Sequence, residues 1–218
     1  MCCCDAKQAI LYVIIICSNS VYALASLFLP SVFASKDVAG LWVGIVFAMY
    51  SIAVVLTSPI VGKIIDKIGY ANMLCFALIL MGASIVPTGY LLDIESSDWT
   101  LVTGLLLRTM QGIASACINT TCYSIAANKY SSQSTFMVGM LEGMSGVGIC
   151  LGLYGGAGLY ETMGYKSVFV VFGMLLPIMA IVSRICFSVI DRNELEAELA
   201  KEQEQLLAQQ DIPESINK

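Results

Sequence analysis

Histidine is absent from this sequence, and charged residues are scarce. The lack of histidine excludes His-based metal sites, histidine general bases, and Ser-His-Asp or Cys-His catalytic pairs. None of the nine cysteines has CxxC spacing, so the sequence predicts neither a zinc site nor a disulfide framework. It also has no basic patch of the kind that binds nucleic acid. We therefore expect no enzyme activity, no metal, no cofactor and no nucleic-acid partner.

Charge is distributed unevenly along the chain. Only 12% of the 218 residues are charged and 58% are apolar, whereas ordinary soluble domains have about 25% charged and about 45–50% apolar residues. Residues 191–218 hold 8 of the 16 acids and 3 of the 11 bases. The sequence therefore predicts a short cytoplasmic N-terminus at 1–7, a neutral membrane domain at 8–190, and an acidic tail or linker at 191–218, part of which has the spacing of a solvated helix.

Six long apolar segments fill the body of the chain. A hydrocarbon layer of about 30 Å is crossed by about 20 apolar residues in a helix, and each segment reaches that length. The loops between the segments are short, so successive helices should be antiparallel neighbours. The fold class is predicted to be an all-α membrane protein with six transmembrane helices in a lipid bilayer. The predicted spans are residues 8–30, 39–61, 71–92, 99–126, 136–160 and 167–190.

Basic residues near the helix ends predict the orientation in the membrane. With six spans both termini share one side, and the opposite side carries only Lys36 and Lys166. We expect both termini to lie in the cytoplasm. The protein itself is expected in either the plasma membrane or an organelle membrane. The cysteine triplet at 2–4 is compatible with palmitoylation and equally with unmodified thiols. The basic residues on the terminal side are Lys7, Lys63, Lys67, Lys129 and Arg192.

Two charged residues fall within the predicted spans. Arg108 lies about nine residues into helix four and Glu142 about seven residues into helix five, so at about 1.5 Å per residue we expect their heights to differ by only several ångströms. A charge near the bilayer centre costs at least about 2.5–3.5 kcal/mol and usually faces a cavity or a partner. The two residues therefore form either a substrate and proton pathway or a structural ion pair, and the two roles are compatible.

Helix one and helix five carry further polar or small residues. Asn19 and Tyr22 are three apart on one face of helix one, where they either line a cavity or make hydrogen bonds between helices. In helix five, Gly148, Gly152 and Gly156 are spaced by four, which makes a smooth stripe for a neighbouring helix. Such a stripe serves either tight static packing or a sliding contact.

Three sequence motifs follow one another along the chain. Residues 62–69 read G-K-I-I-D-K-I-G, in the segment expected to turn between helices two and three. They are similar to the motif G-x-L-x-D-R/K-x-G-R/K. Residues 108–116, R-T-M-Q-G-I-A-S-A, are similar to R-x-x-Q-G-x-x-x-A, and residues 148–157, G-I-C-L-G-L-Y-G-G-A, are similar to G-x3-G-P-x-x-G-G. In this order the motifs resemble those of the major facilitator superfamily, in its drug:proton antiporter and vesicular amine transporter branch. The stretch 141–148 is especially like the vesicular-polyamine-carrier members.

The resemblance implies a six-helix half-transporter built from two inverted three-helix repeats. It implies secondary transport of a small organic solute, an organic cation or amine, against protons by alternating access. Monoamine-carrying members have an acid in helix one where this chain has Asn19, which counts against monoamines. The candidate residues fall into three groups. Those for substrate and proton coupling are Arg108, Glu142, Asn19, Tyr22 and Gln111; those for the gating motif are Gly62, Asp66, Lys67 and Gly69; those for helix packing are Gly148, Gly152, Gly155 and Gly156.

The number of spans departs from the resemblance, because full carriers of this kind have twelve helices in two halves. The chain is then either half of a longer or split product, or a partner of a second six-helix half from the same or another chain, or a degenerate carrier. The competing function is that of a non-transporting membrane protein, such as a regulatory or assembly partner.

Overall fold

The structure, a computed structural model, describes the backbone of residues 2–129 and 133–210 and the side chains within 8–128 and 133–188. The expectation about the cysteine triplet at 2–4 and that about the tail side chains lie outside the described residues.

Six α-helices make up the described chain, which contains no strand. Each helix includes a stretch that is long and apolar enough to cross a membrane. The all-α fold with six spans is thereby confirmed. The helices are α1 (Cys2–Ser35), α2 (Gly40–Ile68), α3 (Tyr70–Thr88), α4 (Ser97–Lys129), α5 (Ser134–Met163) and α6 (Tyr165–Gln210), with one 3₁₀ turn at Leu91–Asp93.

The connection between α2 and α3 is shorter than the sequence suggested. We expected residues 62–69 to form the turn, but residues 62–68 continue α2 and only Gly69 separates the two helices. Gly69 has φ of +86°, which side chains rarely adopt, and its N–H donates to the Ile65 carbonyl oxygen at 2.8 Å. Hydropathy marks where a helix leaves the membrane, not where it ends, so the prediction of a longer turn was wrong.

A second single-glycine turn joins α5 to α6. Gly164 has φ of +80°, and its N–H donates to the Tyr160 carbonyl oxygen at 3.0 Å. In both turns a tyrosine follows the glycine and begins the next helix, as Tyr70 in α3 and Tyr165 in α6. The two turns occupy the same place in the first and second groups of three helices.

Helix packing relates the two groups of three helices. The most extensive contacts are those of α2 with α4, of α3 with α6 and of α1 with α5. The first, second and third helices of one group correspond to those of the other, so α1 corresponds to α4, α2 to α5 and α3 to α6. Under this correspondence the α2–α4 contact is equivalent to the α1–α5 contact, and the α3–α6 contact is equivalent to itself. Each group has an odd number of spans, so the second enters the membrane from the opposite side. The bundle is therefore two inverted three-helix repeats.

The glycine stripe of α5 packs directly on α1. A Cβ on Gly148 would lie 2.5 Å from the Ile16 carbonyl oxygen, and one on Gly152 or Gly156 would overlap Ser20 or Leu24. The Ser20 hydroxyl also donates to the Gly148 carbonyl oxygen at 2.8 Å. Gly155 differs, because it is exposed and a Cβ there would meet nothing within 4 Å. Gly155, predicted with the other three as a packing residue, therefore lies outside the contact with α1.

The α1–α5 contact can be tested with two alanine substitutions on one helix. Gly152→Ala should lower the free energy of unfolding by about 1–3 kcal/mol through overpacking against Ser20. Gly155→Ala makes the same chemical change in open space, so it should leave stability unchanged or raise it by up to about 1 kcal/mol through helix propensity. Thermal unfolding in detergent, followed by helical circular dichroism, measures both. Equal shifts for the two variants would contradict the packing described here.

Candidate functional site

Arg108 is the largest side chain that is fully buried in the bundle, with 1% of its surface exposed. It lies on α4, eleven residues from Ser97 and so about 16 Å along the helix. A buried guanidinium in an apolar bundle needs compensating partners. Its surroundings therefore define the centre of the candidate site.

Three aromatic rings surround the Arg108 guanidinium. Its central carbon lies 4.6 Å from the ring centre of Phe47, 5.8 Å from that of Tyr50 and 6.0 Å from that of Tyr22. Tyr22 and Tyr50 also contact each other, with ring centres 4.9 Å apart. Aromatic faces carry negative charge density, and a desolvated cation–π contact contributes about 2 kcal/mol or more. Side chains from α1, α2 and α4 therefore converge on one cation, and we call this cluster the aromatic cage.

A polar chain links the aromatic cage to α3. Arg108 Nη1 donates to Gln111 Oε1 at 3.4 Å, and Gln111 Nε2 donates to Thr88 Oγ1 at 3.2 Å. The Thr88 hydroxyl donates to the Ser84 carbonyl oxygen at 3.0 Å. Tyr165, which begins α6, donates to the Thr88 carbonyl oxygen at 3.2 Å. Helices α3, α4 and α6 are thus tied together next to the cation.

Gly112 sets the position of the cage rings. It lies one turn from Arg108 on α4, and a Cβ there would lie 2.5 Å from the Tyr50 carbonyl oxygen. Only glycine lets α2 approach α4 this closely. The Tyr50 hydroxyl then donates to Ser115 Oγ at 2.8 Å, which fixes the ring on the same face of α4.

Two donors of Arg108 have no acceptor among the described residues. Nε and Nη2 are both buried, and within residues 8–128 and 133–188 no hydrogen-bond partner lies in reach of either. Buried polar groups are normally satisfied. The arrangement can therefore take an acceptor oxygen, from water, a solute or a carboxylate, beside the aromatic cage.

Glu142 does not lie at this site. It is exposed on α5, and its Oε1 accepts a hydrogen bond from the Tyr123 hydroxyl at 2.5 Å. Tyr123 is fifteen positions beyond Arg108 on α4, which is about 22 Å along the axis. The expected similar height was wrong. The heights of the two residues were counted from the ends of the predicted spans, which were fitted to a layer of about 30 Å. The helices α4 and α5 have 33 and 30 residues, so at about 1.5 Å per residue they extend beyond that layer.

The other predicted residues divide between the cage and its surroundings. Tyr22 and Gln111 contact Arg108, as described. Asn19 lies one turn from Tyr22 and donates from Nδ2 to the Ile15 carbonyl oxygen of its own helix at 2.9 Å. On the last turns of α2, Gly62, Asp66 and Lys67 are exposed.

Sequence reasoning missed Phe47, Tyr50 and Thr88. Phe47 and Tyr50 stand in an apolar run, where aromatic residues are typical of lipid-facing or core positions. Their spacing of three puts them on one face of α2. The available signal was that this aromatic face lies at a depth in the membrane comparable to that of Arg108.

Six spans in two inverted repeats around a buried polar centre form an architecture typical of secondary transporters. Residues 9–214 match the Major Facilitator Superfamily, and the chain belongs to this family. The resemblance drawn from the three motifs is thereby confirmed.

Relatives in the vesicular amine branch are similar over much of this chain. It is 25% identical over 158 residues to human MFS-type transporter SLC18B1, which covers 72% of this chain and 35% of that protein. It is 26% identical over 136 residues to the human synaptic vesicular amine transporter, covering 62% of this chain and 25% of the relative. The human chromaffin granule amine transporter is 26% identical over 135 residues, covering 61% and 24%. The matched stretch thus spans between 24% and 35% of the length of these curated relatives.

The separation of Arg108 from Glu142 predicts that they act independently on stability. In a double-mutant cycle, the effects of Arg108→Met and Glu142→Gln should add within about 0.5 kcal/mol, as expected for distant sites. Tyr123→Phe with Glu142→Gln provides the matched contacting pair, whose coupling should reach about 0.5–3 kcal/mol. Chemical unfolding in detergent measures all variants. Coupling between Arg108 and Glu142 as large as that of the contacting pair would show that the two side chains meet.

Proposed function

We propose that this chain takes part in secondary active transport of a small organic cation or amine, coupled to protons by alternating access. Its family and its amine-transporting relatives support this class of function. The observation that supports it most is the fully buried Arg108, two of whose buried nitrogens have no hydrogen-bond acceptor among the described residues. A buried cation in a membrane helix is costly and usually marks a functional site.

The distance between Arg108 and Glu142 supports a division of roles. An ammonium 4 Å from the guanidinium would be repelled by about 4 kcal/mol at an effective dielectric constant of about 20. We infer that the amine is met at Glu142, which is exposed and has one oxygen engaged by Tyr123. We assign proton coupling to Arg108 together with Gln111 and Tyr22. An acceptor group bound to the guanidinium, such as a carboxylate, would gain or lose a proton and thereby change its bond to Arg108. Asn19, one turn from Tyr22, is placed at the edge of this region.

The remaining motifs are assigned to the movement between states. Gly62, Asp66, Lys67 and Gly69 form the proposed gate, at the end of the bundle where α2 meets α3. The contact of Gly148, Gly152 and Gly156 with α1 is smooth enough to slide, which would suit rocking. Both termini are proposed to be cytoplasmic, because the basic residues concentrate at that end.

A second six-helix half is part of the proposal. The apolar windows of α2 and α5 are only 11% and 22% buried, whereas those of α1, α3 and α4 are 50–56% buried. Large side chains on these two helices are exposed, including Leu56 on α2 and Tyr154 on α5. The exposed apolar sides of α2 and α5 are equivalent in the two inverted repeats. We propose that a second six-helix half packs against them.

The competing function, a non-transporting membrane protein, has its own support. The aromatic cage and the Gln111–Thr88 chain tie α1, α2, α3 and α4 to one cation, which would serve a structural role equally well. In that case Arg108→Met should lower stability, because it leaves the buried Gln111 Oε1 without its donor.

Uptake by reconstituted protein tests the transport proposal. Proteoliposomes with an acidic interior should accumulate a labelled organic amine, and a protonophore should abolish the accumulation. Glu142→Gln should lower the initial rate at least about tenfold, the effect expected when a charged partner of a cation is lost. Arg108→Gln should abolish uphill accumulation. Glu161→Gln, an exposed glutamate on the same helix, is the matched control and should behave as the unmodified protein.

Two results would count against these assignments. Unchanged pH-driven uptake by Glu142→Gln would remove Glu142 from the amine site. If the unmodified protein moves no amine and Arg108→Met lowers stability, the non-transporting function is favoured.

The second half is tested by mass. In mild detergent, the protein component of the particle should be about twice the chain mass of 23.4 kDa or larger. Light scattering with a refractive-index correction for detergent measures it. A strictly monomeric particle at all concentrations would contradict association of this chain with another half.

A further inference from the structure

A cavity of about 320 Å³ opens at the end of the bundle where α2 meets α3. It lies between the start of α3, the end of α4 and the late part of α6. Of the residues in the three sequence motifs only Gly69 lines it, and it is remote from Arg108. Its lining residues are Gly69, Tyr70, Ala71, Asn72, Ile125, Arg184 and Phe187.

The cavity is lined by one cation, Arg184, and by the first backbone N–H groups of α3. Arg184 is exposed and donates from Nη1 to the Asn72 side-chain oxygen. A guanidinium has five N–H donors, and among the described side chains Asn72 is the hydrogen-bond partner of Arg184. Tyr70, Ala71 and Asn72 form the first turn of α3, which has no side-chain cap. Their N–H groups have no partner within the helix and carry its positive dipole. The guanidinium of Arg184 and the N-terminus of α3 are therefore both suited to bind an anion.

The inverted repeat supplies an internal comparison. A cavity of about 290 Å³ lies at the opposite end, between the start of α6, the end of α1 and the residues after α3. These elements are the repeat equivalents of those around the first cavity. Its lining includes Tyr165, Ser31 and Leu92 but no charged side chain. The nearby Lys166 is engaged by Asp93 at 2.7 Å. The two ends share a backbone frame, and only the cavity at the α2–α3 end is lined by a cation.

We propose that the cavity at the α2–α3 end binds the headgroup of an anionic phospholipid, with the phosphate on Arg184 and at the start of α3. Arginine and a helix N-terminus are both suited to phosphate oxygens. Basic pockets between transmembrane helices are known to hold lipid headgroups on the cytoplasmic side, which is the side that the basic residues predict for this end.

The surface next to the cavity favours a lipid over a soluble phosphate. Phe76 lies one turn beyond Asn72 on α3, and Ile181 lies one turn before Arg184 on α6. Because the two helices run in opposite directions, both residues are deeper in the bilayer than the cavity. They are 57% and 61% exposed. A headgroup held by Arg184 would therefore lay its acyl chains over exposed apolar side chains of α3 and α6.

Lipid retention tests the proposal. The full chain is purified in a neutral detergent, incubated with equal amounts of phosphatidylserine and phosphatidylcholine, and analysed by native mass spectrometry. The unmodified protein should retain phosphatidylserine selectively. Arg184→Gln should reduce that selectivity about tenfold, as expected for loss of a charge-assisted hydrogen bond. Arg184→Lys keeps the charge without the planar donors and should retain part of it.

Lys63→Gln is the matched control, because it removes one positive charge at the same end of the bundle from a residue outside the cavity lining. It should leave the selectivity unchanged. An equal loss in Arg184→Gln and Lys63→Gln would show a diffuse basic surface and overturn the site. Displacement of the lipid by inorganic phosphate or glycerophosphoserine at comparable concentration would assign the cavity to a soluble phosphate and also overturn the proposal. This readout does not depend on amine uptake, so its failure leaves the proposed transport function standing.

Discussion

The close contact between α2 and α4 at Gly112 is the constraint on which the polar centre depends. Because Gly112 has no side chain, the backbone of α2 reaches α4 one turn from Arg108, and Tyr50 and Phe47 then face the guanidinium. A larger residue would hold α2 away and leave a cation in apolar surroundings with fewer partners. The α1–α5 contact at Gly148 and Gly152, which the inverted repeat relates to the α2–α4 contact, uses small residues in the same way and positions α1, which brings Tyr22 to the cage. Small residues at two helix contacts thus support one buried charge.

Most of the fold could be predicted from the sequence, since six apolar runs of membrane length leave few alternatives. The helix ends could not. Residues 62–68 continue α2 because nothing in them breaks a helix before Gly69, whose positive φ ends it. The hydropathy of a segment shows where it leaves the lipid, whereas the end of a helix depends on residues that break it, such as Gly69. The two positions coincide only where a loop starts at the membrane surface.

The candidate site was predictable in part. Arg108 and Tyr22 stood out because polar residues in apolar runs are unusual, and Gln111 because it belongs to the motif at 108–116. The structure brings these three together. Phe47 and Tyr50 carry no such signal, because an aromatic residue is ordinary in a membrane helix. Glu142 was identified but misplaced, since depth counted from a predicted span neglects the helical extension beyond the lipid. Its bond to Tyr123 is a contact between two helices that no spacing within one helix could reveal.

The two repeats share a frame but differ in chemistry at their ends. Each has a turn made by one glycine with positive φ and a tyrosine that starts the third helix of the repeat. At one end the neighbouring cation, Arg184, faces Asn72, and at the other Lys166 binds Asp93. Backbone symmetry therefore coexists with different charges at the two ends of the bundle.

The length of α6 has a mechanical consequence. Its backbone is helical from Tyr165 to Gln210, while the apolar run of its sequence ends at Ile190. The remaining 20 residues, 191–210, extend about 30 Å at about 1.5 Å each. Because the backbone stays helical over this stretch, a tilt of about five degrees within the lipid would displace its far end sideways by about 3 Å. The position of Gln210 would thereby report the tilt of α6 inside the membrane.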